Sequence, residues 1–335
     1  VTLDVIGFGS LNLDEFWEAP QDFLRAYGLE PGREYVRDVA WFAKVYPELQ
    51  SRGKLKGRDP GGSAANMIAA LARMGFRTGF WGSTGKDDAP LMRLEELGRP
   101  DDLRVGLREL PAGRCLALIA DADRQRDRAL VILPNANDLA GSDDLELGYF
   151  AQAGWAHLTS FVADGPLSAQ ISLVELLPAH VNVSFDPGAV YAPRGLAQLA
   201  PLLRRTNVLF VAEEELVELT GLPDRERAVT EFLGMDVATV VVKLGERGIM
   251  AFEKRASYFQ PAVIPAIIKD RTGAGDVAAA GFMAGLIRGF NLPECLEIAA
   301  AAASRSLEGF GRSAYPDERF FREMASRVKS RISTA

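Results

Sequence analysis

Residues 269–281 read KDRTGAGDVAAAG, and the reading of this stretch decides what the rest of the chain must be. Gly273, Ala274 and Gly275 stand immediately before an acid, Asp276, and a run of helix formers follows. A glycine-rich turn that opens a helix leaves backbone N–H groups unpaired and pointing outward, with the positive end of the helix dipole behind them. Such a turn is an anion site. Asp276 then has two readings: a cap, since Asp is among the preferred N-cap residues, or a chemical group set beside the bound anion. The surrounding sequence has to choose between them.

Composition narrows the choice. With 335 residues the chain can bury a substantial core, and at 48% hydrophobic and 25% charged it matches neither a disordered nor a membrane class. A net charge of −7 argues against a phosphate-backbone binder, which needs a basic face, so small molecules are the expected partners. Cys115 and Cys295 are far apart, each without a second thiol nearby, and predict neither a disulfide framework nor a zinc site. His157 and His180 are the two histidines and both read as structural, which argues against a histidine-dependent hydrolase. No apolar run approaches the roughly 18 to 20 residues of a spanning helix. The opening VTLDVIGFGS reads as a first strand rather than a signal peptide, so a cytoplasmic protein without a membrane partner is expected.

Apolar, β-rich runs recur between helical patterns: VTLDVIGFG at 1–9, TGFWGS at 78–83, GWAHLTS at 154–160, VNVSFD at 181–186, NVLFVA at 207–212 and VATVVVKLG at 237–245. Strands apolar on both faces, alternating with helices, predict a mostly parallel sheet covered on both sides, an α/β/α sandwich. Helices are expected after 62, at about 166–177, 213–220 and 224–234, and as three in the last block. Two regions break this rhythm: a charged, glycine-containing insertion at 15–60, and GRCLALIADADRQRDRALVILPNAN at 113–137, whose apolar runs flank a polar tip as in a hairpin. Together, at about 12–60 and 105–137, they predict a small β-rich lid on a single domain spanning 1–335. Ligands of open α/β sheets sit outside the carboxyl ends of the strands, where such insertions emerge.

Three stretches carry small residues and a polar side chain at such junctions: GSLNLD at 9–14, GGSAAN at 61–66 and DRTGAGD at 270–276. Common nucleotide motifs fail. The glycine pair Gly7 and Gly9 leads to Asn12 where a dinucleotide fingerprint has its third glycine, and GSTGKD at 82–87 has Asp87 where a P-loop has Ser or Thr.

Taken together, the three stretches resemble the PfkB, ribokinase-like family of carbohydrate and nucleoside kinases over nearly the whole chain. The resemblance implies an ATP-dependent, magnesium-requiring kinase, with a monovalent cation such as K⁺ as a further cofactor. Asp276 matches the catalytic base, while Thr272, Gly273, Ala274 and Gly275 match the anion hole for the migrating phosphoryl group. Asn12, Asp14, Gly61, Gly62 and Asn66 match acceptor-binding positions. Glu215 matches the acid of an N-x-x-E motif that arranges the metal and its waters. The strand and loop VKLGERG, with Lys243, Gly245 and Gly248, look like the bed of the nucleotide phosphates, and EGFGRSAYP at 308–316 looks like the adenine-side and cation loop.

The sequence departs from that pattern at Ala212, where the motif has asparagine, at Lys243, where many relatives carry Thr, and at Arg271 inside the Asp-to-Gly turn. At a helix N-terminus Asp276 is expected to have a lowered pKa. Sugar is the first expectation for the acceptor, nucleoside the second, and a 2-keto-3-deoxy sugar acid the third. Phe16, Trp17 and Trp41 would supply the shelf for a nucleoside base. Exposed lid edges suit a homodimer, and a non-catalytic ligand-binding homologue is the alternative that Ala212 raises.

Overall fold

A computed structural model describes residues 2–120, 128–141 and 145–332. Among the described residues fourteen strands form two sheets. In chain order they are β1 (Leu3–Phe8), β2 (Asn12–Ala19), β3 (Glu34–Val36), β4 (Lys54–Gly61), β5 (Thr78–Gly85), β6 (Leu103–Arg108), β7 (Gly113–Ala120), β8 (Arg128–Leu133), β9 (Ala153–Thr159), β10 (Asn182–Asp186), β11 (Val208–Ala212), β12 (Thr239–Lys243), β13 (Gly248–Glu253) and β14 (Ala256–Pro261). The main sheet has the order β14-β13-β12-β11-β10-β9-β1-β5-β6, parallel from β6 through β12 and closed at one edge by the antiparallel pair β13 and β14. All six expected core strands are in it.

Alternate side chains of each central strand feed opposite cores. Val208, Phe210 and Val241 point into the layer built by the helices Ser63–Arg73, Ala274–Ile287 and Leu292–Ser306; Leu209, Val211, Val240 and Val242 point into the other, with Leu173, Leu216 and Phe232. This period-two split is why the strands read as continuous apolar runs. Each such side chain contributes about 1.5–3 kcal/mol by leaving water. The alanine runs at 278–280 and 299–303 serve packing: a Cβ at Gly281 would lie 2.8 Å from that of Ala302, so the two helices touch along their small residues.

The second sheet, β3-β8-β7-β2-β4, is the expected β-rich appendage, of mixed rather than purely antiparallel pairing. The 113–137 hairpin forms, with its polar tip at 121–127 outside the described residues. Leu103–Arg108, placed at the edge of the lid from sequence, pairs with β5 in the main sheet; the second lid segment therefore begins at Gly113. The insertion also carries an unforeseen helix, Val39–Arg52, capped by Asp38 on the Trp41 amide.

One face of this sheet packs on that helix through Trp17, Leu116, Leu118 and Val131, with Trp17 edge-on to Tyr46. Alternation turns Asn12, Asp14 and Phe16 to the other face, toward the main sheet. Trp17 therefore belongs to the lid's own core, and Trp41 packs edge-on to Tyr27 on the same side. Of the three aromatics proposed as a base shelf, only Phe16 has the right face. Both cysteines are free and buried. Buried His157 shares a hydrogen bond between its Nδ1 and Ser184 Oγ, and burial pulls its pKa down to about 4, as a structural imidazole requires. Among the described residues no helix is long and apolar enough to cross a membrane.

Candidate active site

Because β1, β10, β11 and β12 run parallel, their carboxyl ends open on one edge, and the polar residues of the site leave from there. Asp186 is the last residue of β10 and Lys243 the last of β12. Lys243 Nζ lies 2.6 Å from Asp186 Oδ2. Burial alone would depress the lysine pKa, but the carboxylates of Asp186 and Glu215 outweigh it and hold the ammonium firmly charged. Asp186 escaped the sequence reading; its only mark is an acid closing an apolar strand.

Across from this pair the turn at 273–275 starts the Ala274–Ile287 helix. Gly273 takes φ +73°, a left-handed conformation that glycine adopts at least cost, and this aims the following amides outward. Asp270 holds the turn's approach: its Oδ1 accepts from Thr272 N at 2.9 Å and Thr272 Oγ1 at 2.7 Å, and Oδ2 accepts from Gly311 N at 3.1 Å. Arg128 of the lid sheet reaches the same carboxylate at 3.3 Å.

Asp276 is not spent as a cap on its own helix. Ser63 Oγ donates to its Oδ1 at 2.7 Å and Asn66 Nδ2 to its Oδ2 at 2.9 Å, both from the helix after GG at 61–62. The helix N-terminus by itself predicts a depressed pKa; the structure reverses the sign. Burial is the largest influence and, with the charge of Asp186, raises the carboxyl to about 6, while Asn66, Lys243 and Ser63 pull it down. Desolvation outweighs one helix terminus.

The acceptor side is dense and charged. A Cβ at Gly61 would fall inside the carboxyl group of Asp14, so glycine lets that side chain lie flat against β4. Asp14 Oδ1 is buried with no hydrogen-bond partner among the described residues. Burial first, then the neighbouring Asp270, Asp59 and Asp276, push Asp14 up to about 8, against the pull of Arg312. Asn12 Oδ1 accepts from Asn137 Nδ2 at 2.8 Å, and Asn137 Oδ1 accepts from Leu11 N at 2.9 Å. A backbone N–H can only donate, so the chain of bonds fixes both amides and leaves Asn12 Nδ2 to face a ligand. Asn66, expected on the acceptor, is engaged at both ends: Nδ2 on Asp276 and Oδ1 accepting from Arg312 Nε at 3.3 Å.

The nucleotide side is a cavity of about 550 Å³. Of the residues expected at the nucleotide, Lys243, Gly245, Gly248 and Gly275 line this cavity, together with Ala274 of the turn, whereas Gly273 is not among its lining residues and Thr272 is turned to Asp270. Its apolar wall comes from Val263, Ile264 and Ile268 on one side and Ala300, Ala303 and Leu307 on the other. The 308–316 segment, expected there, instead sends Gly311 and Arg312 to the acceptor side, onto Asp270, Asp59 and Asn66. Arg271 lines the cavity and pairs with Glu246 at 2.6 Å. Glu215 Oε2 accepts from Ala212 N at 2.6 Å; burial and Asp186 raise its carboxyl to about 7 against Lys243. The backbone of Ala212 thus orients this acid without the missing asparagine.

Two apposed sites, one apolar and one polar, meet at a carboxylate beside an anion turn. The pfkB family carbohydrate kinase pattern matches residues 27–318. The chain belongs to this family. It is 30% identical to a ribokinase of Arabidopsis thaliana over 260 residues, 73% of this chain and 66% of that protein, and 29% identical to an ATP-dependent ribose-1-phosphate kinase of Halopiger xanaduensis over 272 residues, 80% and 87%. In three dimensions it resembles a probable sugar kinase from Rhizobium etli (TM-score 0.85, 20% identity, 98% of this chain and 99% of that one) and Arabidopsis thaliana ribokinase complexed with ribose and ATP (TM-score 0.75, 24% identity, 97% and 99%). The pfkB chain described here is accordingly an ATP-dependent kinase of a sugar or nucleoside hydroxyl.

Proposed function

We propose that this kinase transfers the γ-phosphoryl group of ATP to a hydroxyl of a small neutral sugar. The observation that carries the reading is the position of Asp276: both oxygens held, at the anion turn, between the apolar cavity and the polar pocket. Phosphoryl transfer passes through a loose, charge-dispersed transition state, so aligned N–H donors matter more than a strong base. The 273–275 amides supply these, with Lys243 at the cavity floor for nucleotide phosphates. Asp276 takes the acceptor proton, and a carboxyl near 6 is ionised at neutral pH yet basic enough to receive it.

Asp14 Oδ1, buried and unpaired, fits a sugar hydroxyl, and Asn12 Nδ2 offers the complementary donor. The carboxylates of Asp14, Asp59, Asp270 and Asp276 around the pocket disfavour a sugar acid. Magnesium fits the donor set: among the described residues no group of three His, Cys, Asp or Glu side chains is placed to hold a metal ion by itself, but this ion keeps waters and phosphates as ligands and needs one or two carboxylates, here Asp186 and Glu215. When bound it neutralises phosphate oxygens. One observation favours a nucleoside as second reading: Phe16, on the same face of β2 as Asn12 and Asp14, offers an aromatic wall for a base.

The test is ADP release with ATP and magnesium against pentoses, hexoses, sugar acids and nucleosides, with Asp276→Asn as control. Turnover with a neutral sugar, lost in the control, is expected. Turnover confined to nucleosides would move the assignment to the second reading, and ligand binding without turnover would make the chain a non-catalytic homologue.

A further inference from the structure

Arg312 is fully buried, an unusual place for a guanidinium, and the phosphotransfer chemistry gives it no task. It lies in a short turn, Gly311–Ala314, within the 308–316 segment expected on the nucleotide side, yet its contacts converge on the acceptor side. Its backbone N–H donates to Asp59 Oδ2 at 2.6 Å and its carbonyl accepts from Arg73 at 2.9 Å, so the main chain is pinned at both ends. Its NH1 lies 3.3 Å from Glu96 Oε2, and Nε donates to Asn66 Oδ1 at 3.3 Å. The amide of Asn66 in turn donates to Asp276.

We infer that Arg312 is a positioning residue for the phosphotransfer: by occupying Asn66 Oδ1 it fixes the amide so that Nδ2, and not the oxygen, meets Asp276 and holds the base in line with the anion turn. The inference rests on Asp276 being the base. An asparagine amide has two nearly isosteric ends, and only its hydrogen-bond partners choose between them. Turned over, Asn66 would present an acceptor to a carboxylate and leave its NH₂ against a guanidinium, two repulsive contacts in a buried site. Arg312 removes that alternative. Ser63 alone would then leave Asp276 Oδ2 free to rotate, and a misplacement of about 1 Å at a reacting group costs on the order of 10²-fold in rate.

The groups facing Asp276 from other elements are Asp186 and Lys243 at the ends of β10 and β12, Asp14 and Glu34 from the lid sheet, and Tyr315 after the turn. Asn66→Ala changes no charge among them, so its shift in the pH profile reports the Asn66 bond; Arg312→Met also removes a cation that pulls Asp14 and Tyr315 down, and Arg312→Lys, which keeps a cation, separates the two effects. Losing that bond removes a donor to the ionised carboxyl, and the acid limb of kcat/KM moves to higher pH.

The experiment is a double-mutant cycle of Arg312→Met and Asn66→Ala in the full chain. It is read as kcat, KM for ATP and the acid limb, with thermal unfolding in parallel and Asp276→Asn as reference. Each single variant is expected to lose about 10- to 100-fold in kcat with the ATP KM unchanged and the limb shifted up, and the double variant to be no worse than Asn66→Ala. Multiplicative losses, or an unmoved limb, would overturn the inference. Arg312→Lys covers the case in which methionine unfolds the chain: it keeps a cation opposite Glu96 without a planar fork for Asn66, and is expected to fold yet behave like the methionine variant. Full activity in the lysine variant would reduce Arg312 to a structural charge. If Asp276→Asn is itself active, the base assignment fails and this inference with it. If that control is dead while the Arg312 variants are indifferent, only the positioning role fails.

Discussion

The two walls that meet at Asp276 are built on opposite plans. On the acceptor side, Asp14, Asp59, Asn66 and Arg312 are packed so tightly that buried polar atoms remain unpaired, among them Asp14 Oδ1 and the Arg312 NH2 group. On the nucleotide side the wall is alanine, isoleucine and valine around an open cavity, with Lys243 and Arg271 as its cations. A wall of unpaired polar atoms rejects whatever fails to satisfy them, since a missing hydroxyl leaves a buried group stranded. A wall of apolar carbons discriminates weakly, at about 1–3 kcal/mol per misfit group. The kinase is therefore expected to be strict toward its acceptor and permissive toward its nucleotide.

The largest effect that would sharpen or break this contrast is in the acceptor itself. An analogue lacking the hydroxyl that meets Asp14 is expected to lose about 10⁴-fold in kcat/KM, whereas GTP in place of ATP is expected to cost about tenfold. Equal penalties on both sides, measured by ADP release, would erase the distinction.

Next comes the boundary between the walls. Asp276→Asn should lower kcat by about 10²- to 10⁴-fold while nucleotide binding, followed calorimetrically, is retained. In the parent, kcat/KM should fall below a limb near pH 6, since the base must be ionised and its carboxyl stands at about 6. A limb near pH 4 would mean that the helix terminus, and not burial, governs the site.

Lys243 belongs to the nucleotide wall but is tied to Asp186, and this tie is its weak point. Lys243→Met strands a buried carboxylate and should cost roughly 3 kcal/mol in denaturant unfolding, with Lys243→Met/Asp186→Asn recovering most of it. Failure of the double variant to recover would show that the pair is not the unit drawn from its 2.6 Å separation. A milder probe fills the apolar wall: Ala303→Leu should raise the ATP KM a few-fold and leave the acceptor KM unchanged. A change in the acceptor KM alone would break the division of labour.

The smallest effect is on the empty protein. Burial lifts Asp14 from its ordinary value to about 8, so its ionisation opposes folding. A raised folded-state pKa means stability that is whole below the unfolded pKa, near 4, and is lost as pH rises toward 8. Asp14→Asn should therefore melt a few degrees above the parent at pH 8 and close to it at pH 5, while acceptor binding disappears. A Tm difference independent of pH would mean that Asp14 is already satisfied in the empty site.

Much of this was legible in the chain itself. The both-face apolar runs at 207–212 and 237–245 dictate buried parallel strands, and TGAGD at 272–276 dictates an anion turn, because glycine spacing and helix polarity are local properties of the backbone. Asn12, Asp14 and the Gly61–Gly62 pair are legible as one group because they stand where β2 begins and where β4 passes into the 63–73 helix, and the sheet register brings them together. What escaped was whatever depends on a contact between distant segments. Asp186 and Asn137 carry no local pattern, and nothing within the 308–316 segment signals that its Gly311 and Arg312 bond to Asp270, Asp59 and Asn66 on the acceptor side.

The pKa of Asp276 shows the same limit most sharply. The sequence by itself determined that an acid begins a helix behind a glycine turn, and hence the dipole that would lower its pKa. Only the tertiary structure decided the sign, because desolvation depends on how closely the lid, the 63–73 helix and the ends of β10 and β12 close around the carboxyl. Burial is a property of the whole chain, and no stretch of thirteen residues encodes it.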